Sequence, residues 1–179
     1  MKRAQIVASL STLALALVAG YVWWFEYFPP LNFQEVASDK ALLIDDVESY
    51  LRVEPFLAQL KGRSLSFKVE SPAPTSAETN RPPFNITTVR VSEFSHLGHA
   101  GELIVDFFND RLIGVRFFPS DVAGYRKALA LRGIDPSTEG HTFGNTRIWS
   151  AADHTGRSYV GWEDVRLARE MDIWIRRYS

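Results

Sequence analysis

The stretch that most constrains this chain is Gly101 to Pro119, GELIVDFFNDRLIGVRFFP. Leu103, Val105 and Phe107 alternate with Glu102, Ile104, Asp106 and Phe108. After the polar break Asn109-Asp110-Arg111, Ile113, Val115 and Phe117 alternate with Leu112, Gly114, Arg116 and Phe118. A period of two belongs to β-strands, whose successive side chains point to opposite faces. The stretch therefore reads as a β-hairpin at the centre of a sheet. For the two apolar sets to share a face, Phe107 must lie opposite Ile113. Asn109-Asp110-Arg111 is then a three-residue connection, because a slip of one residue turns one set to the other side. The second face mixes Ile104, Phe108, Leu112 and Phe118 with Asp106 and Arg116, which predicts partial cover by a helix or by another strand's side chains. Asp106 and Arg116 are expected to form a cross-strand ion pair there. Gly114 marks a bulge or a close packing contact.

The rest of the chain is read outward from this hairpin. Ser64 to Glu70 alternates Leu65, Phe67 and Val69 with Ser66, Lys68 and Glu70, a half-exposed antiparallel strand. Phe84 to Phe94 is a second strand with Val89 and Val91 inward. Between them Ser71 to Pro83 carries four prolines and forms a loop or extended arm. Ser95 to Gly101 is a turn. After the hairpin, Ser120 or Asp121 caps a helix that buries Val122, Tyr125 and Leu129 and ends at Gly133. Asp135 to Gly144 is a polar loop, and Asn145–Ser150 with Arg157–Trp162 forms another hairpin around Asp153-His154-Thr155-Gly156. The last helix shows an apolar stripe of Leu167, Met171, Trp174, Ile175 and Tyr178. Arg176 and Arg177 complement the dipole at its C-terminal end. Nearer the start, Ser38 or Asp39 caps a helix with Leu43, Val47 and Leu51 on one face, although Lys40 to Asp45 also suits a strand. Phe56, Leu57 and Leu60 suit a short helix ending at Gly62. Adjacent strands joined by short turns give an α+β class, an antiparallel β-sheet with three to four helices packed mainly on one face.

Before this domain, AQIVASLSTLALALVAGYVWWF (residues 4–25) holds no charge in 22 positions, long enough to cross a hydrocarbon core as a helix. Lys2 and Arg3 precede it, so the positive-inside bias puts the N-terminus in the cytoplasm. The expected organisation is a cytoplasmic N-terminus and signal-anchor over residues 1–30, then an extracytoplasmic domain over residues 31–179, periplasmic in a Gram-negative host. Tyr21, Trp23, Trp24, Tyr27 and Phe28 gather where an aromatic belt meets the headgroups. The competing reading is a signal peptide cleaved near Leu17-Val18-Ala19 or Val18-Ala19-Gly20. It would leave YVWWFEYF exposed to water, which favours the uncleaved anchor.

Composition narrows the chemistry. The formal net charge is −1, from 20 basic and 21 acidic residues, so nothing argues electrostatically for a nucleic-acid partner. Cysteine is absent, which removes disulfides, thiolate metal sites and cysteine nucleophiles. No Gly-x-Ser-x-Gly elbow, phosphate loop or dinucleotide fingerprint occurs, so no catalytic residue and no cofactor is assigned. His96, His99, His141 and His154 are the candidate metal ligands, all in predicted turns and loops; zinc needs three or four converging donors. Asp45, Asp46 and Glu48 form an acidic cluster that reads as a solvated face. Trp149, Trp162 and Trp174 fit either a core or a ligand pocket. The leading expectation is a membrane-anchored binding domain without catalytic activity, an accessory component of an envelope complex with a protein partner. The alternatives are a metal-dependent enzyme or metal-binding protein using the loop histidines, and a small-ligand binder with the proline-rich loop as a lid.

Overall fold

The computed structural model describes residues 15–21, 31–71, 81–136 and 139–179. The chain divides into two units, Met1–Asn32 and Phe33–Ser179. In the first, residues 15–21 are helical with exposed side chains. Most of the expected membrane span, and Trp23, Trp24, Tyr27 and Phe28 of the expected aromatic belt, lie outside the described residues. Among the described residues no helix is long and apolar enough to cross a membrane.

The second unit is an α+β domain. A small hairpin, β1 (Leu42–Ile44) and β2 (Val47–Glu48), leads to helix α1 (Val53–Gly62). Four strands follow, β3 (Phe67–Glu70), β4 (Ile86–His96), β5 (His99–Phe108) and β6 (Arg111–Pro119), then helix α2 (Val122–Ala130). The chain closes with β7 (His141–Phe143), β8 (Thr146–Ala152), β9 (Ser158–Asp164) and helix α3 (Val165–Tyr178). The seven-stranded sheet is ordered β3-β4-β5-β6-β9-β8-β7 and every neighbouring pair is antiparallel.

The central hairpin forms where it is expected, with a different register. Its turn has two residues: Asn109 and Asp110 both take left-handed φ, 50° and 59°, as a type I′ turn requires. Phe108 pairs with Arg111 and Phe107 with Leu112, while Asp106 pairs with Gly114. Ile113 is thus the extra residue of a bulge. Leu112, rather than Ile113, joins Phe107 in the core, and Ile113 turns to the opposite face. Gly114 therefore stands at both a bulge and a close contact, since a Cβ there would lie 2.8 Å from the Trp162 carbonyl oxygen.

The inner face of the sheet carries Val89, Val91, Leu103, Val105, Phe107, Val115 and Phe117, all essentially fully buried. Phe56 and Leu60 of α1, Tyr125 and Leu129 of α2, and Leu43 and Val47 of the small hairpin close over them. Residues 40–51, the first expected helix, form a hairpin instead. Asp45 at φ 49° supports the tight reversal, and Ile44 and Val47 favour extended backbone. The second short helix does form, with Pro55 in its first turn where no hydrogen bond is lost. Capping of α2 is as expected: the Asp121 carboxylate accepts from Gly124 N at 2.9 Å. His141–Phe143, expected as loop, adds a short edge strand.

The helices do not share one face. Trp174 of α3 stacks on Phe84 at 4.3 Å, and Phe84 meets Phe108 at 5.5 Å, on the outer side of the sheet. Ile173 and Trp174 are buried while Ile175 stays 41% exposed, so the buried stripe is rotated from the expected one. Asp164 anchors this helix from a fully buried position. Its carboxylate accepts from Arg166 N at 2.9 Å, from the Arg166 guanidinium at 2.7 Å, and from Ser49 Oγ at 2.7 Å. Burial pushes its carboxyl up, but the Arg166 and Ser49 hydrogen bonds outweigh burial and hold it below the usual carboxylate range.

Replacing Leu112 by alanine should cost about 2–5 kcal/mol in urea unfolding. Replacing Asp110 by proline, which cannot adopt a left-handed φ, should destabilise the same turn. A Leu112→Ala loss no larger than that of Leu131→Ala, where the side chain is 82% exposed, would contradict the observed register.

Candidate functional site

Two concave regions hold some of the polar groups that the sequence singles out, Asp45 and His96 in one and Asp106 and Arg116 in the other. The first is a cleft of about 580 Å³ beside the inner-face core. The β1–β2 hairpin supplies Ile44 and Asp45, β4 supplies His96, α2 and the turn after it supply Leu129 and Arg132, and β8 and β9 supply Ile148 and Trp162. At its inner end Asp45, His96 and Tyr125 form a chain of polar contacts. His96 Nδ1 lies 2.6 Å from the Tyr125 hydroxyl and its Nε2 lies 3.3 Å from Asp45 Oδ1. Tyr125 is fully buried, and burial, with the Asp45 charge adding, pushes its phenol up, so the hydroxyl keeps its proton. A buried O–H needs an acceptor. Tyr125 therefore donates to Nδ1, which places the imidazole proton on Nε2, facing Asp45.

This arrangement accounts for two of the four histidines. Both ring nitrogens of His96 are engaged, and His99 packs edge-on against Tyr125 at 5.7 Å. His141 is exposed and stacks on Phe143 at 4.4 Å, and His154 is exposed on the β8–β9 turn. Among the described residues, no group of three or more histidines and carboxylates could hold a metal ion. Asp46 and Glu48 are exposed, and Glu48 pairs loosely with Lys40 at 3.8 Å.

The second region is a groove of about 290 Å³ on the outer face, walled by Ile86, Ile113, Trp149 and Met171. Two glycines shape it. Gly114 leaves its floor open, and Gly161 lets the Trp149 ring lie flat on β9, where a Cβ would come within 2.4 Å of the ring. The Arg147 guanidinium sits over the same indole, 5.1 Å from the ring centroid. Polar groups at the rim pair with one another. Arg116 donates to Asp106 at 2.7 Å, Thr88 donates to the other Asp106 oxygen at 2.8 Å, and Arg147 pairs with Glu163 at 2.9 Å. Burial pushes the Glu163 carboxyl up, and Arg147 opposes that shift. Further along the face, ion pairs run from Glu70 through Arg90 and Glu102 to Arg157 and Asp153.

The sequence points to Asp106, Arg116 and the tryptophans; Asp106, Arg116, Trp149 and Trp174 belong to the outer face, whereas Trp162, paired with Val115, belongs to the inner one. Trp162 and Trp174 are core residues, 3% and 7% exposed, while Trp149 lines the groove. The His96–Tyr125 contact is invisible in the sequence because it joins residues 29 apart from different elements. The available signal for the groove is Gly161 inside an otherwise bulky strand, where a missing side chain marks a close approach. Comparison with protein-family models and with curated proteins gives no match for this chain.

Burial pushes the His96 imidazole below the ordinary value of 6.5; Asp45 opposes this, and Arg132 and His99 add to it. Because the folded state prefers the neutral ring, the unfolded chain binds more protons below that pH. The contribution of His96 to stability is thus complete above pH 6.5 and is lost as the pH falls through it. Urea midpoints measured from pH 7.5 to 5 should fall more steeply for the native chain than for His96→Gln. Equal slopes would show that this ring carries none of the pH dependence.

Proposed function

We propose that this chain is a membrane-anchored extracytoplasmic binding domain, an accessory component of an envelope complex that docks a protein partner on the outer face of its sheet. The observation that carries this reading is the groove of Ile113, Trp149 and Met171 with its rim of mutually paired charges. Protein interfaces combine an apolar centre that accepts an anchoring side chain with a polar rim that excludes water and sets orientation. A rim whose charges are already neutralised within the domain costs less to desolvate than one of isolated charges. The uncharged N-terminal run over residues 4–25, preceded by Lys2 and Arg3, supports attachment to a membrane with the domain outside.

Two measurements test the two halves of this reading. The full chain expressed in its host should stay with the membrane pellet under alkaline carbonate, and release to the supernatant would refute the anchor. A photo-crosslinking residue at Arg147, on the groove rim, should capture one recurrent envelope protein in intact cells. The same residue at Gln59, exposed on α1, should not. Capture should disappear with Trp149→Ala, which removes a groove wall without touching the inner core. The same products at both positions would argue against an outer-face interface.

A further inference from the structure

A partner on the outer face leaves the 580 Å³ cleft without a role, because the cleft opens among the elements that cover the inner face. Its volume falls in the range of about 300–1,000 Å³ typical of small-molecule pockets. Two large apolar side chains on its lining face solvent, Leu42 at 59% and Phe143 at 48% exposed, on separate hairpins. Exposed apolar groups gathered at one opening are uncommon on a soluble surface and gain from being covered.

The polar side chains of the lining are accounted for one by one. Asp45 faces His96, and His96 in turn accepts from Tyr125. Lys40 is taken by Glu48 at 3.8 Å. Asn145 donates to Asp39 at 3.0 Å, Asp39 also holds Arg166 at 2.8 Å, and Thr146 donates to the Leu42 carbonyl at 2.8 Å. Arg132 is the exception: it is exposed, lies close enough for its charge to act on His96, and makes no ion pair among the described residues. A guanidinium binds a carboxylate through two parallel hydrogen bonds, a geometry that an ammonium lacks.

We propose that this cleft binds a small apolar molecule bearing one carboxylate, with its body against Leu129, Phe143, Ile148 and Trp162 and its carboxylate on Arg132. The charge pattern selects a monoanion. Arg132 and Lys40 disfavour a cationic ligand, and Asp39 and Asp45 repel a second negative group. His96, on the cleft lining, has both ring nitrogens partnered, Nδ1 by the Tyr125 hydroxyl and Nε2 by Asp45, so the ligand's apolar body meets no orphaned imidazole donor there. The site is independent of the outer groove, so either can fail without the other.

The test uses the full chain in phosphatidylcholine nanodiscs at pH 7.5, titrated with naphthalene-2-carboxylate by ligand-observed NMR, with empty nanodiscs subtracted. Saturable binding is expected. Naphthalen-2-ol, which keeps the rings and lacks the charge, should bind about tenfold more weakly or worse, as should the acid to Arg132→Gln, because each loses a charge-assisted pair. Phe143→Ala should also weaken binding, through lost apolar contact. Arg132 and Phe143 are exposed, so both variants should keep the native melting curve and report on the site alone. Absence of saturable binding, equal affinity for the alcohol, or an unchanged affinity in Arg132→Gln would each overturn the proposal.

Discussion

The turn at Asn109-Asp110 and the bulge beside it fix the hand of everything around them. With both turn residues left-handed, Phe108 must face Arg111, and the extra residue Ile113 restores the pairing of Val105 with Val115. Inward, this gives an unbroken apolar inner face. Outward, it places Ile113 beside Gly114 and so creates the groove wall. Asn109 also binds segments distant in sequence: its side chain donates to the Phe33 and Pro83 carbonyls, at 3.2 and 2.8 Å, and accepts from Asn85 N at 2.9 Å. Leu112 extends the connection, exchanging backbone hydrogen bonds with Tyr50 and Leu51. A single tight turn thereby orders the start of the domain, the end of the proline-rich stretch and the centre of the sheet.

Buried charge is used in two different ways. Asp164 is fully enclosed and has several donors, so its ionised form is well solvated by protein groups and ties β9, α3 and the small hairpin together. Arg111 is 2% exposed and pairs with Glu170 at 3.0 Å, while Nη1 donates to the Glu35 carbonyl at 2.9 Å and Nε has no hydrogen-bond partner among the described residues. The Tyr50 and Phe108 rings flank its guanidinium at 5.9 and 5.5 Å and supply part of the missing solvation. Burial pushes the Glu170 carboxyl up, and Arg111 opposes this. Such a pair specifies where residues 33–35 lie more than it adds net stability, because desolvation offsets most of the attraction.

The two concave regions differ in the same physical respect. On the outer face the charges neutralise one another across strands, so on the proposed reading shape and apolar contact discriminate among partners. In the cleft His96 is held between Asp45 and Tyr125, and the exposed Arg132 makes no ion pair among the described residues, so on the proposed reading charge is available to select a ligand. Both features come from side chains brought together from different elements, and neither requires a catalytic group.

What the sequence by itself determined is the α+β class, most strand positions, the Asp121 N-cap of α2 with the burial of Tyr125 and Leu129, and the Asp106–Arg116 pair. Those follow from alternation, turn residues and helical spacing, which are local properties of the backbone and its nearest neighbours. The helix expected over Leu43–Leu51 is a hairpin because a spacing of four is shared by a helix face and by the same face of two hairpin strands. Ile113 points outward for a related reason: alternation cannot reveal a bulge, which depends on how the partner strand is paired. Tertiary structure alone decided that α3 crosses the outer face, that Trp149 rests on Gly161, and that His96 meets both Tyr125 and Asp45. These contacts join elements that are not neighbours in sequence. They form when a whole face is buried at once, and the physical reason lies in that packing rather than in any short stretch of the chain.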